Sequence, residues 1–137
     1  MNVEKGFSLI ELLIVIVIVG ILLGLSIPAY QDYVMRSHRA DAHASLLDIA
    51  SRQERFVAQN NSYTTEISAN NGLGMGTTES REGYYDLGVA ACAGGTIATC
   101  YLLTATAKGN QLNDSDCSTI TFDSLGTRSS STPGECW

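Results

Sequence analysis

From Phe7 to Leu25 the chain reads FSLIELLIVIVIVGILLGL, large aliphatic side chains broken by a single ionisable residue, Glu11. Apolar cover continues to Ile27, about 20 residues ahead of Pro28, and at about 1.5 Å of rise per residue such a run crosses the ~30 Å hydrocarbon layer of a bilayer. The stretch therefore predicts a membrane helix. A carboxylate one turn inside that helix costs roughly 2.5 to 3.5 kcal/mol to insert, so Glu11 calls for a partner in the same low-dielectric layer.

The residues ahead of the run bear on what that partner is. Met1 to Gly6 reads MNVEKG, a short polar head ending in glycine. A secretory signal places small residues after its apolar segment, so that cleavage discards the greasy part. No such site follows here, and the only glycine at a polar-to-apolar junction is Gly6. A cut after Gly6 would keep the whole helix and create a new amine on Phe7. The run GFSLIELLIVIVIVGIL resembles the prepilin signature of type IV pilins. The resemblance implies that a prepilin peptidase cuts after Gly6 and methylates Phe7, and that Glu11 is the assembly glutamate. The Phe7 amine of a neighbouring helix would supply the cation that a buried carboxylate needs. A plain single-pass anchor gives the same hydropathy. Charge does not decide the orientation, since Lys5 is opposed by Glu4 while Arg36 and Arg39 lie beyond the span; the resemblance implies that the C-terminal part is outside.

The chain has 137 residues, enough for one domain of about 100 residues after the membrane segment, small enough to want staples. Its four cysteines, Cys92, Cys100, Cys117 and Cys136, form no C-x-x-C pair, which disfavours a redox or zinc-ribbon site. Two disulfides in an oxidising compartment account for them better. Four cysteines allow three connectivities. Closing Cys92 to Cys100 would staple a hairpin across AGGTIAT, and Cys117 to Cys136 would then enclose TITFD and the tail, each closure worth roughly 2.5 to 3.3 kcal/mol by loop entropy.

Along the chain five segments are expected: a leader at 1–6, an assembly helix at 7–28, an amphipathic helical half at 29–59, a loop at 60–83 and an antiparallel sheet with a C-terminal disulfide loop at 84–137. Gly20, Gly24, Ser26 and Pro28 interrupt the apolar helix, and proline removes a backbone donor, so a kink is expected there. In pilins similar to this one the same stretch extends on entry into the fibre. Beyond Pro28 a stripe of Tyr30, Val34, Ala40, Ala44 and Leu47, continued by Leu46, Ile49, Ala50, Gln53, Phe56 and Val57, predicts one apolar face. Asp48 and Arg52 are spaced as a favourable helical ion pair. Asn60, Asn61 and Ser62 end the helix. Alternation predicts strands over 84–91, 100–107 and 119–123, with a short edge strand near 126–129. RQERFVAQNNSY resembles the helix-to-loop junction of pilins, with Tyr63 placed to cap the sheet's edge. Helix first and strands afterwards give an α+β fold, which by the resemblance is the type IV pilin fold: a long N-terminal helix laid on three or four antiparallel strands.

Catalytic readings fare poorly. His38 and His43 are five apart, about 140° round a helix, and cannot share a metal as an i, i+4 pair does. Asn113, Asp114 and Asp116 lack the glycine and terminal glutamate of an EF-hand, so a solvated turn is expected there in preference to a calcium site. No phosphate-cradling loop is present, nor a nucleophile with its base. No enzyme activity, metal or cofactor is expected. Net charge is −6, against broad attraction to nucleic acid or anionic lipid.

From YLLTATAKGNQ to ECW the chain resembles type IVa minor pilins, including relatives of a DNA-uptake pilin. The resemblance implies a structural subunit of a type IV pilus, serving adhesion, twitching motility or DNA uptake. Its partners would be copies of itself and other pilins in a helical fibre, prepilin peptidase, inner-membrane platform proteins and the membrane. The precursor would lie in the bacterial inner membrane and the mature chain in an extracellular fibre. Two alternatives stand beside it, a DNA-receptor minor pilin and a type II secretion pseudopilin. Only Arg81, Lys108 and Arg128 follow the helix, set among acids, so DNA ranks below assembly as an expectation.

Overall fold

The computed structural model describes residues 7–134 and 136–137, with the backbone alone at Ser26 and Pro28. The chain falls into two units, one ending at Val34 and one of Met35–Trp137. A single helix, α1, runs over Leu9–Asn60. It opens where the Ser8 carbonyl accepts the N–H groups of Glu11 and Leu12, and it stops where Asn61 turns left-handed at φ 56° with its N–H still bonded to the Val57 carbonyl. Asparagine tolerates that conformation as a helix terminator better than most side chains.

In the second unit four strands, β1 (Tyr85–Ala90), β2 (Leu102–Ala107), β3 (Thr119–Asp123) and β4 (Arg128–Ser130), form an antiparallel meander in sequence order. Register aligns Leu87 with Ala105 and Ala105 with Ile120, so one face of the sheet carries Tyr85, Leu87, Leu103, Ala105, Ala107 and Ile120. Those side chains are buried in one cluster with Ala42, Leu46, Ile49 and Ala50 of α1. Strand ends differ slightly from expectation: β1 loses Tyr84 and Ala91, β2 starts two residues late, and the edge strand is Arg128–Ser130. The late start follows from the Cys92–Cys100 disulfide, whose loop occupies the segment before Tyr101. Gly95 is what fits inside that loop, since a Cβ there would lie 2.3 and 2.6 Å from the two sulfurs.

The later part of the expected stripe is the face that α1 buries, with Leu46, Ile49, Ala50 and Gln53 inside and Phe56 and Val57 partly so, but its earlier part is not. Tyr30, Ala40, Ala44 and Leu47 face outward, with Leu47 44% exposed, whereas Asp41 and Ser45 are buried alongside the expected Gln53. The reason is backbone satisfaction. Asp41 accepts the Glu82 N–H at 3.2 Å, Ser45 accepts that of Arg81 at 3.4 Å, and the Gln53 amide bonds both backbone groups of Thr64. Buried polar side chains are tolerated where they satisfy loop backbone that water cannot reach. These contacts also tie down the loop from Asn61 to Gly83, which contains no helix or strand. Ile67 and Leu73 are buried, the Leu73 N–H reaches the Glu66 carbonyl at 2.8 Å, and Glu79 bridges to Asp86 beside β1. At Gly72 a Cβ would fall 2.1 Å from the Glu66 carbonyl oxygen, so the turn closes only on glycine. Tyr63 stands edge-on to Tyr101, ring centroids 4.8 Å apart, and both hydroxyls reach Glu54. It therefore packs at the end of the interior strand β2 rather than along a sheet edge.

Between β2 and β3, where a solvated turn was expected, two short 3-10 helices, Gly109–Asn113 and Ser115–Cys117, dock against α1. Asp114 is only 5% exposed and takes Arg39 through two bonds of 2.8 Å, Nε to Oδ2 and Nη2 to Oδ1. Fully buried Gln111 turns its Nε2 towards the Met35 carbonyl, the Tyr85 hydroxyl and Asp114 at 3.0–3.1 Å. Its two N–H groups are shared among these acceptors, so its Oε1 faces the other way and takes the His38 Nδ1–H at 2.9 Å. His38 also stacks on Tyr84 with centroids 3.5 Å apart. Burial pushes the Tyr85 phenol up to about 12, which keeps it a neutral acceptor for Gln111. Asp114 thus lies in a buried ion pair and not in a solvated turn.

The second disulfide, Cys117–Cys136, is buried at both ends and draws the C-terminal residues back onto α1. His43 Nε2–H donates to the Cys136 carbonyl, and the imidazole stacks on the Trp137 ring at 4.5 Å with an interplanar angle of 11°. Burial first, then the nearby Arg128 and Arg39, lower the His43 pKa, partly opposed by the bond to Cys136.

Two predictions follow from this packing. Asp114→Ala removes the bidentate acceptor of the Arg39 guanidinium and one acceptor of the Gln111 amide, and should cost about 3 kcal/mol in chemical denaturation of the full chain in detergent micelles, at the lower end of the buried-pair range because Arg39 keeps 16% side-chain exposure. A loss below about 1 kcal/mol would mean that the pair acts as an ordinary surface contact. His43 binds its proton less readily folded than unfolded, so its contribution is complete above the unfolded value near 6.5 and is lost as pH falls through the lower folded value. Thermal stability should thus drop between pH 7 and pH 5 more steeply in the wild type than in His43→Gln; parallel curves would remove His43 as the cause.

Candidate functional site

The first unit is a surface without internal cover. From Leu9 to Ile27 the described side chains of α1 are exposed, and Phe7 ahead of it is 81% exposed. The helix is long and apolar enough to cross a membrane, and none of its apolar window is buried. A continuous apolar surface of this size is stable only in lipid or against other apolar surfaces. Within it Glu11 sits in the first turn, where the unpaired N–H groups and the helix dipole favour negative charge. Among the described residues Glu11 has no ion-pair partner. Phe7 and Glu11 are thus brought one helical turn apart at the same end. Gly6, the expected cleavage position, lies outside the described residues. Gly20 and Pro28 both fall within the helical span, and a Cβ at Gly20 would meet nothing within 4 Å.

In the second unit the cations Arg39, Arg52 and Lys108 are held by acidic partners. Besides Arg39, Arg52 pairs with Asp48 at 3.1 Å and also donates to the Leu73 carbonyl, which ties α1 to the segment above it. Lys108 is held between Glu79 and Asp86, bridging the end of β2 to β1 and its flanking residues. Among the described residues Arg36, Arg55, Arg81 and Arg128 have no acidic partner. Arg81 borders a cavity of about 450 Å³, but Asp48 and Glu79 share its wall with Arg52, so no single sign of charge dominates there. Arg128, exposed on β4, lies over the Trp137 ring with its guanidinium carbon 5.1 Å from the centroid.

These placements divide the residues singled out in the sequence. His38 and His43 point to different neighbours, Gln111 and Cys136, and among the described residues no group of three or more His, Cys, Asp or Glu is positioned to hold a metal ion. The four cysteines close two separate loops, Cys92–Cys100 and Cys117–Cys136, each with Cα atoms 5.6 Å apart. The Arg128 and Trp137 pairing was not legible, because the two residues are nine apart in a segment without periodicity and meet only once the Cys117–Cys136 bond folds the tail back. The signal available was an aromatic residue directly after a cysteine. Gln111 gave no signal at all, lying in a polar run that reads as loop.

The chain is similar to known proteins along most of its length. Residues 28–121 match the family described as "Type IV minor pilin ComP, DNA uptake sequence receptor", and residues 1–27 match the "Prokaryotic N-terminal methylation motif". Fimbrial protein EcpC of Eikenella corrodens is 39% identical over 113 residues, covering 80% of this chain and 71% of the relative. A fimbrial protein of Moraxella nonliquefaciens is 57% identical over 42 residues, and the type IV major fimbrial protein FimA of Dichelobacter nodosus 53% over 47; these two matches span 27% and 29% of the relatives' own lengths. Among solved structures a type IV pilin from Shewanella oneidensis superposes with a TM-score of 0.53 at 23% identity, over 75% of this chain and 97% of that one, a likeness of fold. With a helix that must be covered, a sheet meander fastened by two disulfides and a family match over well over half of its length, the chain belongs to the type IV pilins, in the family of the ComP-type minor pilins.

Proposed function

We infer that the chain is made as a prepilin, cut after Gly6 by a prepilin peptidase, methylated on Phe7, and inserted into a type IV pilus fibre from the inner membrane with the help of platform proteins. One observation carries this reading: an apolar helix surface from Leu9 to Ile27 whose single charge, Glu11, has no partner among the described residues. Inside a bundle of such helices a carboxylate gains most from a cation in the same layer. Cutting after Gly6 creates that cation, the Phe7 amine of an adjoining copy. The methylation-motif match over residues 1–27 supports the processing step. In this reading the glycines and Pro28 weaken the helix locally so that it extends as copies pack into the fibre. The chain itself does no chemistry; it is a polymer unit.

A second reading is favoured by the match over residues 28–121: a minor subunit of the fibre that receives DNA. Charge alone ranks it lower, since net charge is −6 and Lys108 is committed to two acids. The family match moves it forward, as a receptor that binds through few contacts.

Two measurements test these readings. Mass spectrometry of sheared filaments should find a chain beginning at methylated Phe7, and Glu11→Gln should abolish its incorporation; full-length precursor confined to the membrane, or normal filaments from the glutamine variant, would contradict the assembly reading. For the receptor reading, the full chain in detergent micelles should retard double-stranded DNA at low salt. With four arginines lacking an acidic partner among the described residues, log affinity should fall against log salt with a slope no steeper than about −4. No retardation at any salt would count against DNA binding and leave the assembly reading untouched.

A further inference from the structure

Arg128 differs from the other unpaired cations in lying over an aromatic ring. It lies on β4 opposite Phe122, exposed to solvent, with its guanidinium over the indole of Trp137. Trp137 is in turn held on several sides. Its Nε1–H donates to the Ser129 carbonyl at 2.9 Å, its ring stacks on His43, and Phe122 packs obliquely with centroids 6.0 Å apart. The residue before it, Cys136, is buried and cross-linked to Cys117. Disulfide, imidazole and sheet edge thus set an indole, and the indole sets a guanidinium. An arginine side chain ordinarily carries about 2 kcal/mol of rotamer entropy, and stacking on a fixed ring removes part of that freedom before any ligand arrives. Among the described residues Arg36, Arg55 and Arg81 have no such ring contact.

The charge balance says what such a side chain is suited to. Attraction to phosphates is independent of sequence and grows with the number of free cations, which here is small against a net charge of −6. Discrimination between DNA sequences needs oriented donors instead. A planar guanidinium presents its donors in pairs, the arrangement that O6 and N7 of guanine accept in the major groove. We propose that Arg128, laid on Trp137, reads a guanine edge in the major groove of double-stranded DNA. The proposal rests on the receptor reading above and adds the side chain and the base to it.

The test uses the full chain in detergent micelles, a pool of random-sequence duplexes and sequencing of the bound fraction, for the wild type, Arg128→Lys, Arg128→Gln and Trp137→Phe. Arg128 is exposed and makes no ion pair, so its variants keep the fold. The wild type is expected to enrich guanine at one position. Both Arg128 variants should lose that preference by about 5- to 150-fold, the range carried by one bidentate guanine contact, with other positions unchanged. Arg128→Lys should keep the salt slope of the wild type, and Trp137→Phe should weaken the same position with its charge intact. If the lysine variant retains the guanine preference, or if loss of Arg128 weakens all sequences equally and lowers the salt slope by about one, Arg128 is a phosphate contact and the proposal is wrong while the receptor reading stands. If the wild type enriches no sequence and retards no duplex, the receptor reading fails and this proposal fails with it.

Discussion

The C-terminal unit depends on one buried polar arrangement, the bidentate Arg39–Asp114 pair with Gln111 beside it. Taking a guanidinium and a carboxylate out of water costs several kcal/mol per ion, and the cost is offset only when geometry is good and the remaining lone pairs are bonded. Both conditions are met: Arg39 contributes two donors, Gln111 a third, and the Gln111 amide is itself committed to Tyr85, His38 and the Met35 carbonyl. The consequence is positional. Apolar packing of Leu46 and Ile49 against Leu103 and Ile120 is compatible with small rotations of the helix on the sheet. A bidentate pair joined to a fully buried amide is not, and it fixes which face of α1 looks inward.

That constraint explains where the sequence was a reliable guide and where it misled. The helix, its end at Asn60 and the three main strands were legible because each has its own period or its own breaker, and Asn61 in the left-handed region is the physical form of that breaker. Leu46, Ile49, Ala50 and Gln53 lie inside as their spacing indicates, but the earlier part of the stripe was misread, since counting apolar residues at helical spacing rewards Ala40, Ala44 and Leu47. There the chain buries Asp41 and Ser45 instead, each needed by a backbone group of the segment that follows. Periodicity registers apolar burial and is blind to polar burial that is satisfied at a distance. The same blindness hid Gln111 and made Asp114 look like part of a solvated turn.

The functional residues show the same split. Gly6, Phe7 and Glu11 could be singled out as candidates from the sequence because their proposed roles depend on order along the chain at a polar-to-apolar junction. The Arg128 and Trp137 pairing depends on tertiary return, with β4, the tail and His43 of α1 converging through a cross-link between Cys117 and Cys136. Residue type alone marked Arg128 as one charge among several, and only its neighbours separate it from Lys108, which two carboxylates hold down.

Both cross-links close within the part of the chain that follows α1, between residues 8 and 19 apart, and neither reaches the helix. The seam between α1 and the sheet is therefore wholly non-covalent. Under tension directed along the helix, that seam yields before either loop can, and the length released comes from the segment joining Asn61 to β1. The disulfides act as stops on extensibility: they cap how far the sheet can unravel and leave the helix held by its non-covalent contacts alone.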